Sequence, residues 1–565
     1  MAKFALPFQD SVRPKASADE TALRAMHLLG FLFLVLALAL PLGSLLLRAF
    51  EDQHGGFVGL RNFGIYVTTP SLIHSAWNSI WTAALTTLVV VPLAFAYAYG
   101  LTRSCMPGKW LFRAVMLLPI FAPSLLPALS LIYLFGNQGM LRWMMDGGSI
   151  YGPWGIIGAQ IFYCFPAATI ILSVALSTAD GRLYEAAEAL KASKLRIFLT
   201  VTLPGAMYGL VSAGVVVFTL VVTDFGIPKV IGGQFNVLAT DVYKQVVGRQ
   251  DLNMGAVVGL VLLIPAILAF LLDRWALSKK SATLSGRAVP YRPKPRPVRD
   301  RPAFLLCLAI ALALTGIVAV AVWGSLIRFW PYNLSLTLDN YDFARFDTAG
   351  WQAVWLSIKL SLLTAIFGTA IVFILAYSLE RGPHHGVFVA PLRFLATLPL
   401  AVPGLVLGLA YIIFFNAPAN PLEIIYGTLA ILVLNSVVHF YTVCHLTAVT
   451  AIRQLDPEFE AVSASLHVPI WRTVCRVTLP ICLPAILEIA VFLFVSAMTT
   501  VSAVIFLYGP DTKPASVAVV HMDEAGQASA AAAMACVILA ISLGAKLLQL
   551  SVNGVLGRFT SAWRR

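Results

Sequence analysis

Six ionisable or amide side chains fall inside stretches that are otherwise apolar: Gln160, Asp224, Lys359, Asn435, His439 and Glu488. Such groups are costly in hydrocarbon, so they are the first candidates to line a path for a polar solute, replacing the hydrogen bonds it loses to water. Gln160 and Asn435 hold equivalent positions in an internal repeat, as a polar pair flanking a central path would. The plainer reading gives each one interhelical hydrogen bond, worth about 0.6 kcal/mol. Lys359 can snorkel to the outer surface on its long stem, and Glu488 can pair with Arg472 or Arg476. The path candidates are therefore Gln160, Asp224, Asn435 and His439.

Other chemistry is poorly represented. No G-x-x-x-x-G-K-[ST] loop is present, so any ATP would bind another polypeptide. Asp224-Phe225-Gly226 copies a kinase tripeptide, but at the end of an apolar span and without the accompanying motifs. His384, His385, His439 and His445 make no two-histidine zinc spacing, and neither a metal site nor a directly bound cofactor is expected. The seven cysteines fall in apolar spans or inner loops, where packing is the simplest role. An enzyme is not expected.

These residues must be carried by membrane helices. Hydrophobic residues make up 59% of the chain and charged ones 12%, with a mean hydropathy of +0.85, against roughly a quarter charged in soluble domains. Apolar runs of about 20 residues, enough for one crossing, recur throughout. We place about twelve. The first six are Leu28–Leu47, Trp77–Leu101, Phe112–Phe135, Trp154–Leu176, Ala206–Ile227 and Gly255–Leu272. The second six are Phe304–Trp323, Val354–Leu379, Phe388–Phe415, Ile424–Leu446, Pro484–Leu507 and Ser529–Leu548. Backbone amides in lipid must bond within their own segment, which predicts an all-α integral membrane protein.

The two sets are copies. Trp77, Ser79 and Ile80 match Trp355, Ser357 and Ile358; Arg103 matches Arg381, and Pro119 and Pro123 match Pro399 and Pro403. Residues 1–273 and 303–565 thus read as homologous six-helix halves with a path between them. Residues 274–302, basic and broken by five prolines, read as an extended cytoplasmic linker that could also meet anionic lipid. Lys3, Arg13, Lys15, Arg564 and Arg565 place both termini on the cytoplasmic side. The excess of 39 basic over 26 acidic residues is spread along loops, which fits membrane topology and argues against a nucleic-acid partner.

Each half also contains a short polar segment between apolar spans: YEAAEALKASKLRIFLTVTLP at 184–204 and FEAVSASLHVPIWRTVCRVTLP at 459–480. The first, with Glu185, Ala186, Ala187, Leu203 and Pro204, resembles the EAA loop of the membrane subunits of bacterial ABC importers. That resemblance implies a type I importer permease with two halves fused, in a bacterial inner membrane. It also implies two copies of an ATPase subunit holding ATP and Mg, and a periplasmic substrate-binding protein. Lys191 and His467 stand where the family usually has glycine. Counting back from Leu479 and Pro480 puts Ala461 opposite Glu185, so Glu460 is displaced by one residue, a rotation of about 100° on a helix. Leu190, Leu195 and Phe198 are expected to anchor the first segment to its own bundle, and Pro204 and Pro480 to stop each helix.

Residues 219–266 and 499–526 resemble the fused permeases assigned to 2-aminoethylphosphonate uptake. Fused Fe(III) permeases share the DFG-P region, and fused thiamine permeases share the plan. A small-molecule phosphonate is the cargo this implies, with Fe(III) or thiamine as alternatives; an ion-coupled secondary transporter would lack the duplicated loop.

Overall fold

The computed structural model describes residues 18–280, 289, 291–383, 386–456 and 458–560. Lys3, Arg13, Lys15, His384, His385, Arg564, Arg565 and part of the expected linker lie outside them. Among the described residues, ten helices are long and apolar enough to cross a membrane, and two bent pairs raise the number to as many as twelve. In order, spans 1 to 6 are Asp19–Arg48, Pro70–Arg103, the bent pair Lys109–Phe121 with Leu125–Phe135, Pro153–Ser177, Lys194–Thr223 and Leu252–Trp275. Spans 7 to 12 are Pro297–Ser325, Trp351–Arg381, the bent pair Val389–Ala401 with Gly404–Phe415, Leu429–Arg453, Ile470–Thr499 and Ala528–Val555. Between spans 7 and 8 lies a small hairpin of Ile327–Phe329 and Asn333–Leu336.

The prolines of spans 3 and 9 do more than kink them. The two pieces meet at 99° in span 3 and 115° in span 9. Each break falls just before a proline, where the ring clashes with a helical neighbour and pushes it to extended geometry. Ala122 before Pro123 has ψ 140°, and Val402 before Pro403 has ψ 114°. Pro127, in the first turn of the next helix, disturbs nothing.

Pro204 and Pro480, expected to stop their helices, lie within continuous spans instead. Proline has no N–H and its ring crowds the carbonyl four residues back. The chain answers with a π-turn at Phe198–Thr202 and at Val474–Thr478, in which Leu203 and Leu479 donate to carbonyls five residues back. Spans 5 and 11 do stop sooner than expected, at Thr223 and Thr499. Asp224 and Thr500 follow in extended backbone, with ψ 131° and 137°.

The first helix of each half packs against the other half. On span 1, His27 Nε2 lies 2.8 Å from Ser378 O, Phe31 packs on Phe388, and Ala37 O accepts a bond from Tyr411 Oη at 2.6 Å. Span 7 returns the exchange: Phe304 packs on Phe112, Cys307 lies against Gly100, and Ile317 O accepts from Ser130 Oγ at 2.8 Å. The halves are therefore interlocked repeats. Gly255 and Gly259 of span 6 leave room for Val406 and Leu409 of span 9, the close approach their spacing predicts. Large apolar side chains such as Leu88, Ile264, Leu312 and Phe367 face outward along the spans, where lipid would cover them.

Helix extends further into the linker than expected. The span 6 helix runs to Lys280 and the span 7 helix starts at Pro297. Proline is tolerated at a helix start because the first N–H groups have no intrahelical acceptor.

Candidate functional site

A cavity of about 500 Å³ lies between the halves, lined by the breaks of spans 3 and 9 and by spans 4, 5, 6, 10 and 11. Asp224 and His439 both face it. Gln160 and Asn435 are fully buried and do not line it. Gln160 Nε2 donates to Asp224 Oδ2 at 2.8 Å, and Asn435 Nδ2 donates to Ala503 O at 2.6 Å. Each amide thus has a structural role, tying its span to the unwound segment of its own half; spans 4 and 10 align 276 positions apart, which sets Gln160 opposite Ser436 and not opposite Asn435. Asp224 Oδ2 also accepts from Ile227 N at 3.0 Å, capping the short helix Gly226–Ile231.

Sequence reasoning missed Asp273, the second carboxylate on the cavity wall, bonded by Ser212 Oγ at 2.7 Å. The second half contributes hydroxyls, among them Ser496, Thr499 and Thr500. No lysine or arginine lines the cavity among the described residues. Lys359 is exposed, and Glu488 pairs with Lys546 at 3.0 Å and Gln549 at 2.7 Å instead of Arg472 or Arg476.

The duplicated polar segments lie at one end of the bundle. The first forms helix Gly181–Ala189, capped by Asp180, whose side chain accepts from Arg182 N at 3.0 Å. Glu185 and Ala186 are exposed. Tyr184 turns inward, donating to Thr202 Oγ1 at 3.1 Å. Arg103 sits 4.6 Å over its ring and 4.5 Å over that of Tyr291, and donates to Leu176 O at 2.7 Å. Tyr291 comes from the linker, which also accepts a bond from Gly181 N at Val289 O, 2.7 Å, and places Arg296 3.4 Å from Glu188. Glu188 is held below the ordinary carboxylate range, chiefly by the hydrogen bond from Lys194.

The second segment forms helix Glu458–Ser465. Arg381, the repeat partner of Arg103, meets Glu460 at 3.3 Å and donates to Ile452 O at 2.9 Å and Leu455 O at 2.8 Å. Glu460 therefore occupies the inward position of Tyr184, while Ala461 is exposed like Glu185. The one-residue displacement is real and has a structural use.

Lys191 and His467 have φ of 55° and 52°, the left-handed region that favours glycine. Each closes its helix with a bond five residues back, Ala192 N to Ala187 O at 3.0 Å and Val468 N to Ser463 O at 2.9 Å. This geometry explains glycine at that position.

Leu190 and Leu195 were expected as anchors, yet both are exposed, Leu190 by 83%. Phe198 does anchor, packing on Phe95 and Tyr99. Leu183, Leu190 and Leu195 have exposed counterparts in Phe459, Leu466 and Trp471, each 276 positions on. Each segment thus presents a matched exposed apolar triad at the same repeat positions.

Residues 91–280 and 383–554 match the family described as binding-protein-dependent transport system inner membrane component. The chain belongs to this family, whose domain it carries twice. It is 30% identical over 79% of its length to a Haemophilus influenzae permease assigned to a ferric transport system, covering 72% of that protein. It is 29% identical to the ferric transport system permease protein of Actinobacillus pleuropneumoniae over 82% of this chain and 69% of that one. The thiamine transport system permease of Salmonella typhimurium is 25% identical over 61% of this chain and 64% of that one. The protein is a multi-pass membrane permease subunit of an ABC importer, a class that works with ATPase and binding-protein partners. These relatives give the phosphonate expectation no support.

Proposed function

We propose that the chain forms the membrane path of an importer driven by two copies of a separate ATPase, one seated on each duplicated segment. The observation that carries this reading is the matched pair of exposed apolar triads beside the Glu185 and Ala461 helices. ATP and Mg would lie on the ATPases, with both chain termini on their side of the membrane. A periplasmic binding protein would deliver cargo at the opposite end. Closing the ATPases would swing the interlocked halves as rigid bodies and turn the cavity from one side to the other.

For cargo, the cavity wall supports a cation. Asp224 and Asp273 face it without a neighbouring lysine or arginine among the described residues, so positive charge is favoured there and an anion is repelled. Ferric ion fits this electrostatic character and the two ferric relatives. A second reading, 2-aminoethylphosphonate, is favoured by the loops at 219–266 and 499–526; its ammonium would find the carboxylates, though its phosphonate would find no counter-charge.

Uptake by the whole complex in proteoliposomes, with ferric salt, 2-aminoethylphosphonate and thiamine offered to the cognate binding protein, tests the cargo. Ferric uptake is expected, reduced by Asp273→Asn. Phosphonate uptake unaffected by Asp273→Asn would reverse the assignment. Leu190→Glu with Leu466→Glu should abolish ATPase copurification while leaving the permease inserted; normal copurification would remove the docking surface.

A further inference from the structure

At the end away from the duplicated segments, the halves are joined by a contact that the repeat does not duplicate. Lys229, on the short helix Gly226–Ile231, lies 2.5 Å from Glu524 at the end of helix Ala515–Glu524 in the other half. Its ammonium also sits 4.8 Å from the ring centroid of Tyr243, which stacks on Phe506 across the same junction. Carboxylates at a helix C-terminus oppose the helix dipole, so Glu524 needs a cation from elsewhere, and Lys229 supplies it. The repeat positions of Lys229 and Glu524 are Ile505 and Gly248, which cannot form a second ion pair.

The short helices carrying this contact follow the unwound segments at Asp224 and Thr500, which line the cavity. Parting the halves at this end would therefore separate Lys229 from Glu524 and Tyr243 from Phe506. We propose that Lys229, Glu524 and Tyr243 form a single off-axis latch that holds the cavity closed at this end and must open once in every transport cycle. It biases the equilibrium between closed and open states, whatever the cargo.

Two measurements on the assembled permease–ATPase complex test it. Lys229→Glu should raise ATPase activity without binding protein by about two- to fivefold, the shift expected from one partly exposed ion pair. Adding Glu524→Lys should return it to the parent level. Separately, Lys229→Cys with Glu524→Cys, joined by a short cleavable thiol cross-linker in a cysteine-free background, should stop uptake, and cleavage should restore it. Single-cysteine controls should transport throughout. Uptake at the parent rate by the cross-linked complex overturns the latch, as does an unchanged ATPase rate in assembled Lys229→Glu. If Lys229→Glu fails to assemble, the cross-linking result decides.

Discussion

The helices of the two duplicated segments are held by repeat-equivalent arginines in different ways. In the first half Arg103 lies over the rings of two tyrosines that pack against each other, one supplied by the linker. In the second, Arg381 reaches a carboxylate and two carbonyls. The exchanged first helices explain the difference. Span 7 packs on the first half, so the linker leading into it passes over the first segment's helix and places Tyr291 beside Arg103. The second segment meets the start of span 1, where Asp19 accepts from Ile470 N, at the beginning of span 11, at 3.2 Å and a pocket lies beside Arg381 and Glu460. Among the described residues, the linker thus lies over one arm through hydrogen bonds and ring contacts, while the start of span 1 meets the other through a polar contact.

The largest effect should come from removing the polar hold. Arg381→Ala breaks hydrogen bonds to Ile452 O and Leu455 O and the ion pair with Glu460, and should cost about 2–3 kcal/mol locally. Uptake should fall at least about tenfold, with a lower melting temperature in detergent. An unchanged rate would show that the second arm needs no latch.

Arg103→Lys keeps the charge but loses the planar stack, and should cost about 1 kcal/mol. Arg381→Lys should cost more, because the second arm depends on directed hydrogen bonds. Equal losses in melting temperature would erase the distinction drawn between stacking and pairing.

Lys191→Gly and His467→Gly should each stabilise the complex by about 1 kcal/mol, since glycine adopts positive φ without the Cβ clash. A fall in melting temperature in either variant would mean that the side chain makes a contact outweighing the strain.

The smallest effect concerns Glu188. Its folded pKa is depressed below the ordinary 4.5, so its pairing with Lys194 contributes above that value and is lost as pH falls through the lower folded value. Both groups are well exposed to solvent, so Lys194→Met should change stability by less than about 0.5 kcal/mol at neutral pH. Any difference should vanish in acid. Persistence of the difference at about pH 3, below the ordinary carboxylate range, would assign it to packing.

Much of the architecture was legible because bilayer thickness and backbone hydrogen bonding leave few choices. Twelve apolar runs and the paired prolines at Pro119, Pro123, Pro399 and Pro403 could be read directly. So could the segments ending at Pro204 and Pro480. The unusual Lys191 and His467 were visible too, although only the backbone shows that both carry positive φ. Gln160 and Asn435 were legible as polar groups within apolar spans, but periodicity does not show which side of a helix faces a cavity, and only the helix ends show that the two spans align 276 positions apart, one residue out of register for this pair.

The amino-acid order alone determined a helical membrane protein with two related halves and one polar helix in each, since hydropathy and repeated spacing are local properties of the chain. Only tertiary structure decided that spans 1 and 7 change sides and that Tyr291 reaches Arg103. It alone set Glu460 inward and brought Lys229 to Glu524. Those outcomes join residues dozens to hundreds of positions apart, and they depend on packing of whole helices that no local pattern encodes.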